Sequence, residues 1–371
     1  MKVPLADLHA QYVRIRPEID SAIQDVITRS QFILGSAVAA FEESFARAHG
    51  TDHCIAVGSG TDALHLALWA AGIGRGDAVV TTPFTFIATV EAISLLGATP
   101  LFADIDPETY TLDPNSLEDL LRRKHPPIKA VIPVHLYGLP ASMNELQTLA
   151  QQEGAAVIED ACQAHLARYR GRSVGNFGSA GCFSFYPGKN LGAYGEAGAV
   201  TTNDAALAGR IRQLRDHGQA EKYRHAFCGH NYRMDGIQGA VLGVKMRYLT
   251  AWTLRRKEIA RIYKARLADV EEIRLPFEPP EAEHVYHQFV LGTPRRNELQ
   301  TFLAGRDIAT ALHYPLPLHL QPACRDLGFG KGDFPVSERA ADECISLPLF
   351  PEMSPEQIEH VITSVRAFYG A

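Results

Sequence analysis

Residues 182–192 of the chain are Cys182-Phe183-Ser184-Phe185-Tyr186-Pro187-Gly188-Lys189-Asn190-Leu191-Gly192. This run is apolar and strand-like until Pro-Gly interrupts it, and a single lysine follows the interruption. About thirty residues upstream, a second apolar run, residues 155–158, ends in Glu159 and Asp160. Ligands of open α/β sheets bind at the carboxyl ends of the strands. We therefore expect Lys189 and Asp160 to share one site.

A third element fits the same edge of the predicted sheet. Residues 54–57 form a short predicted strand, and Gly58-Ser59-Gly60-Thr61 follows it and opens a helical pattern. Small residues at a helix N-terminus offer backbone N–H groups and hydroxyls to a phosphate. A lysine amine can form a Schiff base with an aldehyde, and a carboxylate can keep a pyridine nitrogen protonated. A lysine after Pro-Gly is by itself more often a solvated turn residue, but the three elements together predict a pyridoxal phosphate (PLP) site.

Composition limits the other functions that the chain can have. With 371 residues, 46% apolar and 21% charged, the chain can bury one large core and a smaller one. The net charge of −6 argues against a nucleic-acid partner. The six cysteines show no metal-ligand spacing, so we expect no metal site and free thiols in a reducing cytoplasm. Neither a signal peptide nor a membrane-spanning apolar run is visible. We therefore expect a cytoplasmic protein that does not bind a membrane.

The middle of the chain alternates between short apolar runs and helical patterns. Between residues 54 and 203, apolar runs at 78–80, 100–103 and 130–134 each precede a helical pattern. This alternation is typical of a mostly parallel sheet with helices on both faces. We therefore predict an α/β fold whose large domain has a mixed, mostly parallel sheet sandwiched by helices.

The C-terminal part shows a different pattern. Residues 252–267 look helical and carry many Arg and Lys, which we interpret as a solvated helix face. Residues 276–283 are rich in Pro and Glu and are typical of a linker. We expect residues 1–250 to form an N-terminal arm and the large PLP-binding domain, and residues 251–371 a linking helix and a small α+β domain. Further helical patterns cover residues 17–28, 36–49, 204–216, 237–248 and 355–368.

Over nearly its whole length, the chain resembles the DegT/DnrJ/EryC1/StrS family of sugar aminotransferases, which are fold-type-I PLP enzymes. The most specific resemblance lies in residues 158–165, Ile-Glu-Asp-Ala-Cys-Gln-Ala-His, and in residues 183–190. The sequence departs from the family at Leu166 and Ala197, where relatives usually have glycine, and we expect both changes to reshape the cleft. Other matching segments are residues 3–8, 32–35, 58–64, 83–86, 133–138, 231–238 and 315–319.

The resemblance implies a role for each matching residue around the cofactor. Lys189 would hold the cofactor and then move a proton between cofactor and substrate carbon. Asp160 would face the pyridine nitrogen, Gln163 the ring hydroxyl and Phe86 the ring face. Three residues, Gly60, Thr61 and Ser184, would bind the phosphate. Asn231 would reach the phosphate of the neighbouring subunit's cofactor, which implies a homodimer with shared active sites.

A proline-stiffened stretch, residues 312–319, contains His313, Tyr314 and His319. A loop packed against the large domain would explain these residues equally well. Under the functional interpretation they offer hydrogen bonds to the substrate, and Tyr186 and Tyr223 serve from the opposite wall. We expect all five to contact the sugar or its diphosphate.

The resemblance implies amino transfer from an amino acid, with L-glutamate favoured, to a nucleotide-linked keto-deoxysugar. Carbon C-3 is favoured over C-4 by the context of residues 186–192 and 231–241. One alternative is a PLP-dependent sugar dehydratase, but such relatives carry histidine at the position of Lys189. A non-catalytic PLP-binding regulator would need no complete Lys-Asp-Gln set. A desulfurase would need a mobile cysteine, for which Cys324 is the candidate.

Overall fold

A computed structural model describes residues 1–123 and 125–371. Within these residues, no helix is both long and apolar enough to cross a bilayer. The helices are α1 (Leu8–Arg29), α2 (Gly35–His49), α3 (Gly60–Ala70), α4 (Ala88–Leu95), α5 (Pro114–Leu121), α6 (Met143–Gln152), α7 (Ala205–Arg215), α8 (Gly236–Met246), α9 (Leu249–Leu267), α10 (Arg296–Ala304), α11 (Pro335–Glu343) and α12 (Pro355–Tyr369). The strands are β1 (His53–Val57), β2 (Ala78–Thr81), β3 (Thr99–Phe102), β4 (Ile128–Val131), β5 (Ala156–Asp160), β6 (Arg168–Tyr169), β7 (Arg172–Ser173), β8 (Ala180–Ser184), β9 (Gly198–Thr202), β10 (Gln219–Glu221), β11 (Arg224–His225), β12 (Ala282–Glu283), β13 (Phe289–Gly292) and β14 (Cys344–Leu347).

The central sheet has seven strands in the order β1-β9-β8-β5-β4-β2-β3. Strand β9 runs antiparallel to β1 and β8, and the remaining strands share one direction. The register pairs Asp160 at the end of β5 with Cys182 in β8. The carboxyl ends of the parallel strands therefore meet at one edge, where the sequence places the candidate site.

Side chains along each strand alternate between the two faces of the sheet, as the pleat requires. In β1, Ile55 and Val57 pack with α3, α4 and α7, whereas Cys54 and Ala56 pack with α2 and α8. In β2, Val80 faces a further core that includes α5 and α6. These strands are buried on both faces, which explains why the sequence shows them as continuous apolar runs. The predicted α/β fold, with helices on both faces of a mixed sheet, is confirmed.

The C-terminal part has its own core, built from α9, α10, α12, β13 and β14. Near the N-terminus, Val3 joins this core through a parallel bridge to Ile308. The predicted domain boundary after residue 250 falls at the start of α9 and stays a prediction. Other buried members of this core are Tyr263, Phe289, Leu299, Ile345 and Val361.

Asp104, which lies just after β3, connects the large part of the chain to the C-terminal part. Its carboxylate accepts the backbone N–H groups of Val336 and Ser337, each at 3.0 Å, and the Ser337 hydroxyl at 2.6 Å. Both residues lie in the first turn of α11, whose N-cap residue Phe334 makes no side-chain cap. Asp104 therefore caps α11 from a distant segment and complements the positive end of its dipole.

The first helix differs from the sequence prediction. The pattern predicted a helix over residues 17–28, but α1 begins at Leu8 and contains Pro17 in its interior. A proline leaves the carbonyl four residues earlier, here that of Val13, without its helical donor. Val13 is 57% exposed, so water can satisfy that carbonyl. The helix therefore continues through the proline.

Glu159 is a fully buried carboxylate with four donors around it. One oxygen, Oε2, accepts His135 Nε2 at 3.1 Å and the Gly175 N–H at 2.7 Å. The other, Oε1, accepts the N–H groups of Phe177 at 2.7 Å and Gly178 at 2.8 Å. Hydrogen bonds to a carboxylate are stronger than those between neutral groups. Burying a carboxylate is costly unless its oxygens are hydrogen-bonded, so Glu159 depends on all four donors. Glu159 thereby joins the segments that follow β4 and precede β8 to the end of β5.

We predict that Glu159→Gln lowers the free energy of unfolding by about 3 kcal/mol. The amide nitrogen would replace one oxygen and face two N–H donors that then lack an acceptor. Urea denaturation measures the effect, and the matched control is Glu153→Gln at an exposed position, which should change stability by less than about 0.5 kcal/mol. Equal stability of the two variants would contradict the role of Glu159.

Candidate functional site

A cleft of about 610 Å³ opens at the edge where the parallel strands end. The turns after β1, β2, β5 and β8 form one side, and C-terminal segments around His287 and His313 form the other. Leu5 and Ala6, near the N-terminus, also line it. The structure brings most of the predicted site residues together here, namely Gly60, Thr61, Phe86, Asp160, Gln163, Ser184, Tyr186, Lys189, His313 and Tyr314.

One end of the cleft is the N-terminus of α3. Ser59 caps the helix, and its Oγ accepts the Asp62 N–H at 3.1 Å. The amides of Gly60 and Thr61 precede any partner within the helix, so they can receive an anion. A Cβ on Gly60 would lie 2.6 Å from the Cβ of Ser184, so only glycine lets the turn approach Ser184 this closely. This cradle fits the phosphate that the sequence predicts there.

Asp160 ends β5 and is 6% exposed. Its Oδ2 accepts the hydroxyl of Thr89 at 2.8 Å, and its Oδ1 accepts the Cys162 N–H at 3.2 Å. Thr89 lies 3.2 Å from the Thr85 hydroxyl. Since Thr89 gives its only hydroxyl proton to the carboxylate, Thr85 must be the donor in that second bond. A chain of two hydroxyls therefore fixes the orientation of Asp160.

Lys189 lies in the turn that follows β8, where its backbone N–H donates to the Tyr186 carbonyl at 2.8 Å. Burial lowers the pKa of the Lys189 amine below its ordinary value, and the nearby Cys162 and Asp160 groups only partly oppose this effect. A lowered pKa increases the fraction of neutral amine at neutral pH. The neutral form is the one that can attack a carbonyl or accept a proton.

The C-terminal wall presents His313 and Tyr314. The Nδ1 of His313 lies 2.8 Å from the hydroxyl of Ser346, and burial, followed by the charge of Lys189, lowers the pKa of His313 to about 4. His313 is therefore neutral at neutral pH and can act as a hydrogen-bonding group. Tyr314 OH accepts Gln163 Nε2 at 3.1 Å, and Gln163 Oε1 accepts the Tyr137 N–H at 2.7 Å. This network fixes the Gln163 amide in the cleft.

Phe86, the predicted ring contact, and Tyr186, a predicted substrate contact, are more exposed than the rest of the site. Phe86 and Tyr186 line the cleft, yet each is 54% exposed. The Phe86 ring lies 5.9 Å from the Tyr314 ring, centroid to centroid. Exposed aromatic faces on an otherwise buried cleft mark the side from which a large ligand can enter.

Three predicted site residues lie outside this cleft. Asn231 is exposed, and its Oδ1 accepts Arg233 Nη2 at 2.6 Å. Tyr223 is 81% exposed and lies between β10 and β11. The structure does not support a substrate contact for His319, which is 2% exposed and whose Nε2 pairs with Glu338 at 3.0 Å. The stiff proline-rich stretch turns this side chain away from the cleft and into a packing position.

Two other candidate groups are also excluded by their positions. Glu159, the neighbour of Asp160, has both oxygens occupied by the donors described above and does not line the cleft. Cys324 is 2% exposed in the 3-10 helix Pro322–Leu327, and burial raises the pKa of its thiol. A desulfurase would need an exposed thiolate on a mobile loop, which Cys324 cannot provide.

Helix α9 corrects one interpretation of the sequence. Its many charges suggested a solvated face, but a stripe of residues at intervals of three and four is buried, and Arg256 lies in that stripe. Arg256 and His287 both line the cleft, although neither was predicted as a site residue. The available signal was the position of Arg256 at helical spacing from the uncharged residues Thr253, Ile259 and Tyr263 of the stripe rather than among the other charges.

Leu166 and Ala197, the two departures from the family pattern, lie in different surroundings. Leu166 has φ 65°, a left-handed conformation that costs a leucine about 1 kcal/mol and glycine nothing, which explains why glycine is usual there. It does not line the cleft; its N–H donates to His49 Nε2 at 3.3 Å. The expectation that Leu166 reshapes the cleft is therefore not supported. Ala197 is buried in the core against α2 and α8, while its neighbour Glu196 lines the cleft.

The residues present fit PLP. The cradle at Gly60 provides free amides for a phosphate, Asp160 provides an oriented carboxylate, and Lys189 provides an amine with a lowered pKa. All three line one cleft at the carboxyl edge of the sheet. The donor set therefore matches what a phosphorylated pyridine aldehyde requires.

Comparison with known proteins agrees with this arrangement. A family model described as the DegT/DnrJ/EryC1/StrS aminotransferase family matches residues 13–366. A pleiotropic regulatory protein of Geobacillus stearothermophilus is 45% identical over 100% of this chain and 99% of that protein. The dTDP-3-amino-3,4,6-trideoxy-alpha-D-glucose transaminase of Streptomyces venezuelae is 43% identical over 98% of this chain and 96% of that protein. A crystal structure of S. venezuelae DesV with a ketimine intermediate has a TM-score of 0.97 and 43% identity, over 100% of this chain and 99% of that one.

We predict that Thr89→Val lowers kcat about tenfold, because Asp160 loses one of the two hydrogen bonds that orient its carboxylate. The pH at which the visible absorbance of the bound cofactor changes should shift in the same variant. Thr89→Ser keeps the hydroxyl and should restore both properties. A Thr89→Val enzyme with wild-type kcat and an unchanged absorbance profile would show that other contacts hold Asp160.

Proposed function

The chain belongs to the DegT/DnrJ/EryC1/StrS aminotransferase family, and we propose that it transfers an amino group from L-glutamate to the C-3 keto group of a nucleotide-linked deoxysugar. The predicted family, the fold-type-I architecture, the aminotransferase class and the PLP cofactor are confirmed. The donor and the carbon that is aminated are part of the proposal. The observation that carries it is the meeting of Lys189 and Asp160 in one cleft.

The chain's own residues have distinct tasks in this reaction. When bound, PLP supplies an aldehyde that takes up the amino group and a ring that accepts the electrons of the broken C–H bond. Asp160 would keep the ring nitrogen protonated, and the Thr89 hydroxyl fixes the orientation of the Asp160 carboxylate. The Nζ of Lys189 would move the proton from the donor carbon to the cofactor in one half-reaction, and from the cofactor to the sugar carbon in the other. The α3 N-terminus and Ser184 fix the phosphate so that these groups remain aligned.

The choice of C-3 follows the sequence context and one relative. The S. venezuelae transaminase, 43% identical, is named for a 3-amino sugar. His313, Tyr314 and Tyr186 line the cleft and offer imidazole and phenol groups to the sugar. Amination at C-4 is the alternative at the same site.

A regulatory role is the second candidate, because the Geobacillus relative is named a pleiotropic regulatory protein. A regulator that only bound the cofactor would need the phosphate cradle alone. Here the Lys189 amine, the Asp160 carboxylate and the Gln163 amide lie together in the cleft, and an oriented acid beside an amine with a lowered pKa is what catalysis requires. Dehydration is disfavoured because Lys189 occupies the position that is histidine in such relatives.

We predict that L-glutamate converts the enzyme to its amine form, with loss of the visible absorbance. A nucleotide-linked 3-keto deoxysugar then restores the absorbance faster than its 4-keto isomer does. Stopped-flow absorbance measures both half-reactions. Faster recovery with the 4-keto isomer would reassign the carbon, and no response to any amino acid would contradict amino transfer.

The matched variants for this experiment are Lys189→Ala and Lys129→Ala. Lys189→Ala removes the amine that moves the proton, so turnover should fall by several orders of magnitude with an unchanged melting temperature. Lys129 is exposed in β4, and its substitution should leave both half-reactions intact. Ordinary turnover by the Lys189→Ala enzyme would refute the assignment.

The active form is proposed to be a homodimer with shared sites. Asn231 and Tyr223 lie outside their own cleft on an exposed segment, as expected of residues that serve a neighbour. Phe32 and Ile33, which are 47% and 52% exposed, lie beside this segment, where Ile33 forms a bridge with Asp235. Exposed apolar side chains next to candidate site residues are typical of a subunit interface. A two-fold axis would complete both sites at once.

We predict that Lys189→Ala and Asn231→Ala subunits, each inactive alone, regain activity when mixed. In a hybrid dimer one site combines the intact Lys189 of one chain with the intact Asn231 of the other. Random exchange should therefore restore about a quarter of wild-type activity. Native mass spectrometry confirms that exchange has occurred. Exchange without recovered activity would mean that Asn231 does not serve the partner's site.

A further inference from the structure

Arg256 is a buried cation on the C-terminal wall of the cleft. It lies in the buried stripe of α9 and is 7% exposed. Burial lowers the pKa of its guanidinium to about 10, so the group still carries its charge at neutral pH. A buried charge without a partner is destabilising, and proteins normally pair it. We therefore expect Arg256 to pair with an anion.

The hydrogen bonds of Arg256 fix its position without neutralising its charge. Its Nη1 donates to the carbonyl oxygens of Leu349 at 2.9 Å, Tyr286 at 3.3 Å and His287 at 3.4 Å. Its buried Nε has no partner within the described part of the chain. The carboxylate of Glu352 acts on it only through space, without a salt bridge. Backbone carbonyls thus hold the guanidinium in place through Nη1, while Nη2 makes no hydrogen bond within the described residues.

His287 supplies a second unpartnered group on the same wall. It is 7% exposed, and its Nδ1 has no hydrogen-bond partner among residues 1–123 and 125–371. Burial, and then the charges of Lys189 and Arg256, hold the pKa of His287 well below its ordinary value. The ring is therefore neutral and can donate one hydrogen bond. Arg256 and His287 together form a small, buried receptor for an anion.

The reaction brings such an anion to the cleft in every turnover. Among the described residues that line the cleft, Lys189 and Arg256 are the cationic ones, and Lys189 is engaged in the chemistry. An amino-acid donor carries carboxylates, whose two oxygens match the donor fork of a guanidinium. The nucleotide diphosphate is large and fits better the open side at Phe86 and Tyr186, each 54% exposed.

We propose that Arg256 and His287 form the subsite that holds a carboxylate of the amino-acid donor. This inference rests on the proposed function, because it assumes that an amino acid enters the cleft. Anchoring the donor at this wall orients its amino-bearing carbon toward the Lys189 amine. It also gives the buried guanidinium a direct partner of opposite charge, which Glu352, acting without a salt bridge, does not provide.

The test uses the holoenzyme and glutarate, a dicarboxylate that has no amino group and cannot react. Glutarate binding is followed by the change in visible absorbance of the cofactor and by the rise in melting temperature. Arg256→Gln should weaken glutarate binding by between about tenfold and a hundredfold. The control is Arg261→Gln, an exposed position on the same helix, which should bind glutarate as the wild type does. Unchanged glutarate binding by a folded Arg256→Gln enzyme would overturn the proposal.

Two further measurements separate the other outcomes. If Arg256→Gln does not fold, Arg256→Lys keeps the charge but loses the fork, and it should bind glutarate at least about fivefold more weakly; equal binding would overturn the proposal. The anion that Arg256 binds could instead be a carboxylate on the sugar. A raised KM of the Arg256→Gln enzyme for the nucleotide sugar, with unchanged glutarate binding, would therefore also overturn the proposal. Failure of the wild type to react with any amino acid would refute the proposed function, whereas the glutarate titration tests Arg256 independently.

Discussion

A single buried carboxylate organises the edge of the sheet on which the cleft depends. Glu159 gathers four donors from segments that are distant in sequence, and so it fixes the end of β5. Consecutive residues of a strand point to opposite faces, so the orientation of Glu159 determines that of Asp160. The hydrogen bonds of Glu159 thus also orient Asp160, the acid that lines the cleft. Thr89 completes this arrangement from the other side.

The two ends of the cleft attract negative charge by different means. At the phosphate end, the neutral amides of Gly60 and Thr61 and the dipole of α3 provide the attraction. At the opposite end, a full positive charge on Arg256 is held by carbonyl oxygens. Lys189 lies in the same cleft, and burial favours its neutral form. The site can therefore attract anions while burial lowers the pKa of its reactive amine.

Much of this could be predicted from the sequence because strand ends carry local signals. The turn at Gly60, the acid Asp160 and the lysine Lys189 each follow an apolar run, and the fold then brings the run ends together. Arg256 could not be predicted in this way, since a charged residue in a charged helix looks solvated until the buried face is known. The direction of His319 depends on its packing and on its pairing with Glu338, which the sequence does not show.

The cap that Asp104 places on α11 has a consequence for how the cleft handles its substrates. Three hydrogen bonds tie the large part of the chain to α11, so a hinge motion that separated α11 from Asp104 would have to break them. If these bonds persist when ligands bind, little of the ligands' binding free energy is spent on moving α11.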